Sequence, residues 1–277
     1  MEFFLEIVQF LFFSGLIVLI SKNILVKTLR ELAENLKLSP KTVGNIAGVA
    51  TSVPELLTIS ISSYNGLFST TIYNVLSSNI INLIQYMTAI ILNKNQKVLK
   101  NKAIKLDLML VLITIILPVL FTIIGTKLNI AMVPIFVLLY FGFKKINNNV
   151  HKLYLKEDNA VREKQKVKVK NSKYKIVKNV VILIITGIIL FLIGNLLGNT
   201  LENLCNRFNV PEFVIGVILG FTSSLPELIT FFESQRHHKN AENTINGVVE
   251  ATNNLLMSNI VNLFVILSIG IIIYTFI

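Results

Sequence analysis

The spacing of its apolar runs is what most constrains this chain. Stretches long enough to cross a hydrocarbon core of about 30 Å, roughly 20 helical residues, occur near 3–21, 42–64, 69–92, 104–125, 128–143, 179–200, 211–232 and 244–277. A soluble domain of this length has no room to bury them all, and the 53% hydrophobic content agrees. The expected fold class is an all-α membrane protein with about eight transmembrane helices. The first run starts almost at Met1, with no basic leader and no small-residue cleavage site before the next charged stretch. It therefore reads as a retained span and not as a signal peptide.

A net charge of +11 raises the question of a nucleic-acid partner, and the positions of the basic residues answer it. If the loops alternate sides, every one of the 26 lysines and arginines except Lys127 and Arg207 falls after spans one, three, five or seven. Such one-sided placement marks those loops as cytoplasmic and puts both termini outside. The implied partner is the lipid bilayer, with no nucleic acid, and the expected location is the plasma (cell) membrane with multiple passes. The most polar stretch divides the chain into a first membrane half at 1–143, a basic cytoplasmic loop at 144–178 and a second half at 179–277. The loop's "KQKVKVK" reads as a solvated connector or as a segment lying on anionic headgroups. Cys205 is the only cysteine, so no intrachain disulfide forms. The sequence leaves a homo-oligomer open.

The two halves share a pattern. "GVATSVPELL" and then "NVLSSNIINL" in the first are matched by "GFTSSLPELI" and then "NLLMSNIVNL" in the second. Aligning Glu55 with Glu227 also aligns Gly48 with Gly220, Thr51 with Ser223, Ser52 with Ser224 and Pro54 with Pro226. In the second block Asn74 meets Asn254, Ser78 meets Ser258, Asn79 meets Asn259 and Asn82 meets Asn262. The copies begin in spans two and seven and so enter the membrane from opposite sides. That is an inverted-topology repeat, a plan of secondary transporters in which interrupted helices meet at a midplane site.

Proline lacks an amide donor and clashes with the preceding turn, so Pro54 and Pro226 predict interruptions of helices two and seven. Backbone freed at membrane depth must be buried in protein or face a polar cavity. Thr51, Ser52, Ser223 and Ser224 add hydroxyls within a turn of each break, and Gly48 and Gly220 leave carbonyls approachable. An acid at this depth is a functional candidate with a partner to be found, and neither motif contains a lysine or arginine for Glu55 or Glu227. A cation fits. Two carboxylates with amide and hydroxyl oxygens form a hard, all-oxygen set suited to Ca²⁺, with no thiolate or imidazole to favour zinc or copper. Ser78 and Asn82, like Ser258 and Asn262, are four apart and share a helix face. For Asn74, Asn79, Asn254 and Asn259, interhelical hydrogen bonding competes with ligation.

These residues resemble the repeats of the sodium/calcium exchanger family, within the calcium:cation antiporter superfamily. "ATSVPE" and "TSSLPE" are similar to its Gly-Thr/Ser-Ser-x-Pro-Glu signature, and "SSNIIN" and "MSNIVN" to its Gly-Ser-Asn-x-x-Asn/Asp element. The resemblance implies that Glu55 and Glu227 are central Ca²⁺ carboxylates completed by Asn82 and Asn262. Thr51, Ser52, Ser78 and Gly48, with Ser223, Ser224, Ser258 and Gly220, would line the Ca²⁺ site and flanking Na⁺ sites. Three departures stand out: Ala50 and Thr222 replace a usual glycine, Asn262 stands where prokaryotic members often carry Asp, and eight spans replace the usual ten, so the last two family helices are expected to be missing. The implied activity is Ca²⁺/Na⁺ exchange by alternating access, in which spans one and six slide against the rest. Transported Ca²⁺ and Na⁺ are then the substrates, with no cofactor.

The closest alternative, in the same class, is an H⁺-coupled antiporter for Ca²⁺ or another divalent cation, which needs no hydroxyl cage. Two other readings differ in class. A passive cation channel normally repeats its filter around an axis along the pore, whereas an inverted pair has its axis in the membrane plane. An intramembrane hydrolase built on Ser223 or Ser224 needs a base in reach, and His151, His237 and His238 all fall in predicted cytoplasmic loops, so no enzyme is expected. Asp107 and Glu6 are expected at membrane interfaces, and Glu250 either in an inward vestibule or at a helix start.

Overall fold

The structure, a computed structural model, describes residues 2–36, 38–124, 128–154, 173–239 and 244–277. Most of the basic loop, residues 155–172, and Lys127 lie outside the described residues. Twelve α-helices are labelled here in chain order: α1 Glu2–Ile20, α2 Lys27–Asn35, α3 Pro40–Thr51, α4 Val53–Tyr64, α5 Phe68–Leu92, α6 Lys102–Ile124, α7 Val133–Tyr154, α8 Lys173–Glu202, α9 Glu212–Ser223, α10 Leu225–Lys239, α11 Thr244–Ile260 and α12 Leu267–Thr275. No strand is present among the described residues. Eight helical stretches are long and apolar enough to cross a membrane, and they fall where the hydrophobic runs predict. The protein is a multi-pass membrane protein.

Span five differs most from its expected bounds, running over Ile130–Leu153 instead of ending near 143. The cause is a stripe that outlasts the apolar run: Phe143, Asn147, Val150 and His151 recur at helical spacing and are all buried. Polar residues here continue a packed face.

Both proline-containing spans are interrupted. Between α3 and α4, Ser52 takes φ −81°, ψ 2°, and between α9 and α10, Ser224 takes φ −79°, ψ −1°, each with ψ near zero instead of the value of a regular helix. Pro54 and Pro226 sit in the first turn of the following helices, where a missing amide hydrogen has no intrahelical acceptor to disappoint. The break thus falls two residues before each proline.

The halves then interlock. Helix α3 of the first packs along α11 of the second, and α9 of the second along α5 of the first. Glycine permits both contacts: a Cβ on Gly48 would lie 2.6 Å from the Asn254 carbonyl oxygen and 2.9 Å from the Ser258 nitrogen. One on Gly220 would lie 2.8 Å from the Asn74 carbonyl oxygen and 2.9 Å from the Ser78 nitrogen. Gly216 and Gly220 meet α5 at rising positions, Thr70 and then Asn74, so α9 runs parallel to α5. Because α5 returns from α4 through a tight turn at Asn65–Leu67, with Gly66 at φ 74°, it runs opposite to α3 and α4. The two motif-bearing helices therefore run in opposite senses.

Around this centre lie two apolar clusters. One joins α5, α6, α7, α10, α11 and α12 around Tyr86, Phe136, Phe231 and Phe264. The other joins α1 and α8 through Phe10, Ile17, Leu190, Leu197 and Leu201, and reaches Leu219 on α9.

Candidate cation site

Glu55 and Glu227 open α4 and α10, in the first turn after each break. A helix start favours negative charge, yet both side chains have 0% exposure and, among the described residues, neither ion-pairs with a basic group. They lie near enough to interact electrostatically with each other. The hydroxyls face the carboxylates crosswise: Ser223 and Ser224 of the second half lie by Glu55, and Thr51 of the first lies by Glu227, beyond ordinary hydrogen-bond geometry.

Direct hydrogen bonds complete the cluster. Ser258 Oγ donates to Glu227 Oε1 at 2.9 Å and lies 3.0 Å from Ser52 Oγ. Asn82 Nδ2 reaches Ser258 Oγ at 3.3 Å, and across the pseudo-axis Asn262 Nδ2 reaches Ser78 Oγ at 3.4 Å. The hydroxyls of Ser52 and Thr51 donate to the Gly48 carbonyl at 2.9 and 3.3 Å, and Ser224 to the Gly220 carbonyl at 2.7 Å. All twelve residues singled out by the sequence are thus gathered around the two breaks, ten of them as side chains. Gly48 and Gly220 serve as close-packing positions whose carbonyls already accept hydroxyl bonds.

What the cluster leaves unmade is as informative. Glu55 Oε1 and Oε2, Glu227 Oε2, Asn82 Oδ1 and Asn262 Oδ1 are all buried oxygens without a hydrogen-bond partner, and Ser223 Oγ joins them. Buried acceptors are normally satisfied, because each orphan costs about 1–3 kcal/mol. Five acceptor oxygens without a donor, all on residues of this cluster, make a set that a cation would complete. No group of three or more His, Cys, Asp or Glu that could hold a metal occurs among the described residues, so a cation placed here would draw its remaining ligands from amides and hydroxyls.

Asn74 donates to Thr58 Oγ1 at 2.8 Å, and Asn254 donates to Thr230 Oγ1, each tying a repeat's two blocks together. Asn262 also lies in a π-helical turn, Val261–Ile266, a form common at functional sites; its counterpart Asn82 stays in regular α-helix. Nothing in the sequence signals that turn.

Two expectations for ionisable residues need correcting, the loop placement of His151 and the helix-start option for Glu250. Asp107, near the start of α6, is fully buried, accepting from Asn147 Nδ2 at 2.8 Å and pairing with His151 Nε2 at 2.7 Å. His151 is a buried residue of α7, brought inward by the stripe that lengthens span five. His238 extends α10 and meets Glu250 at 3.1 Å, while Ser234 donates to the same carboxylate at 2.7 Å. Glu250 is accordingly buried inside α11 and not at a helix start.

Fold and site together define a multi-pass membrane transporter of the cation-exchanger class. The sequence matches the family described as "Sodium/calcium exchanger protein" over residues 6–145 and 178–277, and the chain belongs to that family. This is a family of transporters for sodium and calcium, not of enzymes. Among solved structures, the chain is similar to the sodium-calcium exchanger NCX_Mj. Against the form soaked with 10 mM Na⁺ and zero Ca²⁺, the TM-score is 0.53 at 22% identity, covering 98% of this chain and 83% of that one. The form soaked with 2.5 mM Na⁺ and 0.1 mM Ca²⁺ gives 0.52 at 24% identity, covering 97% and 82%. At such identity the likeness establishes the fold. A search of curated proteins gave no match.

Proposed function

We propose that this protein exchanges Ca²⁺ for Na⁺ by alternating access, in the plasma membrane, with both termini outside and the basic loop in the cytoplasm. The observation that carries the reading is the set of five orphaned, buried acceptor oxygens shared between Glu55, Glu227, Asn82 and Asn262. Ca²⁺ takes oxygen ligands in a flexible shell and neutralises both carboxylates at once. Several Na⁺ ions do the same from the hydroxyl-rich flanks formed by Thr51, Ser52, Ser78, Ser223, Ser224 and Ser258. An empty site carries two uncompensated buried charges, so only loaded forms pass between the outward-open and inward-open states. Spans one and six, which pack on each other through Phe10, Ile17, Leu190, Leu197 and Leu201, are the elements suited to slide against the interlocked centre.

A proton-driven Ca²⁺ antiporter is the second reading, because a buried carboxylate is also neutralised by protonation and Asn262 removes one acid from the usual set. Reconstituted protein separates the two. Ca²⁺ uptake driven by an outward Na⁺ gradient supports Na⁺ coupling. Uptake driven only by a proton gradient replaces it with the second reading, and uptake that needs no counter-ion gradient would mark a passive channel.

A further inference from the structure

Two asparagines that the site does not use directly, Asn79 and Asn259, face each other across the contact between α5 and α11. Each amide nitrogen donates to the other residue's backbone carbonyl: Asn259 Nδ2 to Asn79 O at 3.2 Å, and Asn79 Nδ2 to Asn259 O at 3.3 Å. Asn79 Nδ2 also reaches Thr114 O of α6 at 3.4 Å. A backbone carbonyl only accepts, so these bonds decide which end of each amide is nitrogen.

The consequence propagates outward. With its nitrogen held by a carbonyl, Asn259 presents Oδ1, which accepts from Asn82 Nδ2 at 3.2 Å. Asn79 likewise presents Oδ1, which accepts from Asn262 Nδ2 at 3.3 Å. Asn82 and Asn262 then have one orientation left, with Oδ1 turned away from the clasp, and these are the two amide oxygens found buried and unpartnered. We infer that Asn79 and Asn259 are positioning residues that fix the amide orientation of the opposite repeat's ligand, Asn79 acting on Asn262 and Asn259 on Asn82. This rests on the cation-site reading above. The device also gives Asn262 a reason to be an amide in this chain, since its nitrogen has an acceptor waiting at Asn79 Oδ1.

The two arms are independent, because each anchor is a backbone carbonyl that survives substitution of the side chain belonging to it. The test is a set of double-mutant cycles on the full-length protein, read as equilibrium Ca²⁺ affinity by calorimetry, with thermal unfolding recorded without ions. Asn259→Ala should weaken Ca²⁺ binding about 10–100-fold, the usual effect of losing a ligand's orienting partner. In an Asn82→Ala background the same change should have no further effect, whereas in an Asn262→Ala background it should act in full. The Asn79→Ala cycles should show the mirror pattern, coupled to Asn262 and additive with Asn82. Asn259→Ser, a smaller polar change, repeats the cycle if the alanine variant fails to fold. Equal, additive losses in both backgrounds would overturn the inference and leave a merely structural clasp. Absence of any Ca²⁺ response in the unmodified protein would instead overturn the cation-site reading, and this inference with it.

Discussion

Glu55 and Glu227 are buried without counter-charge, an arrangement that costs stability in the ion-free protein. Replacing either by glutamine keeps shape and removes charge. Glu55→Gln and Glu227→Gln should therefore unfold at the same temperature as the parent or higher when ions are absent, yet lose Ca²⁺-dependent transport and the stabilisation that Ca²⁺ confers. A lower unfolding temperature in ion-free buffer would argue that the carboxylates hold the fold together. The repeat that relates Glu55 to Glu227 and Asn82 to Asn262 was legible in the sequence, because duplication writes the same letters twice and the charge stands alone in an apolar run. The crossing of Asn79 onto Asn262 was not: it depends on which residues of α11 face which of α5, and a repeat read along the chain carries no such register.

Helices meet most closely at glycines, and this gives a sharp contrast between two apolar spans. Gly48→Ala would push a methyl group against backbone of α11, at Asn254 O and Ser258 N, where no side-chain rotation relieves it. The expected loss is about 1–3 kcal/mol of stability, together with a disturbed site. Gly187→Ala on α8 meets nothing within 4 Å and should be neutral in both respects; equal effects of the two changes would contradict the packing described. On the side of the molecule holding His151, Asp107 joins α6 to α7 through Asn147 Nδ2 and His151 Nε2. Asp107→Leu takes the acceptor from His151 Nε2 and one of two from Asn147 Nδ2, which keeps Asn253 Oδ1 at 3.2 Å; an unpaired buried donor costs about 1–3 kcal/mol, so the unfolding temperature should fall. An unchanged temperature would show that the donors find other partners. Hydrophobicity alone ended span five too early because the helix continues on a buried polar stripe, and buried polar contacts have no signature in a hydropathy pattern. The breaks in spans two and seven were legible from Pro54 and Pro226, whereas their placement at Ser52 and Ser224 follows from the proline's tolerance for a first turn.

At the scale of the whole molecule, the proposed sidedness rests on the distribution of lysine and arginine alone. Two exposed positions test it: in a Cys205→Ser background, Asn206→Cys should react with an impermeant maleimide applied to intact cells, and Lys97→Cys should react only after permeabilisation. The reverse pattern would invert the topology. The count of eight spans was equally legible, since length and apolarity are properties of each run by itself; the interlocking of the halves was visible only as a repeated motif until α3 was seen along α11 and α9 along α5. The proposed function has one central claim, that Ca²⁺ and Na⁺ compete for the oxygens gathered around the two breaks. Equilibrium Ca²⁺ binding to the purified protein, repeated at rising Na⁺ and with Glu55→Gln, tests that most directly. The account predicts that Na⁺ weakens Ca²⁺ binding progressively and that the variant binds no Ca²⁺; Ca²⁺ affinity indifferent to both Na⁺ and the substitution would contradict it.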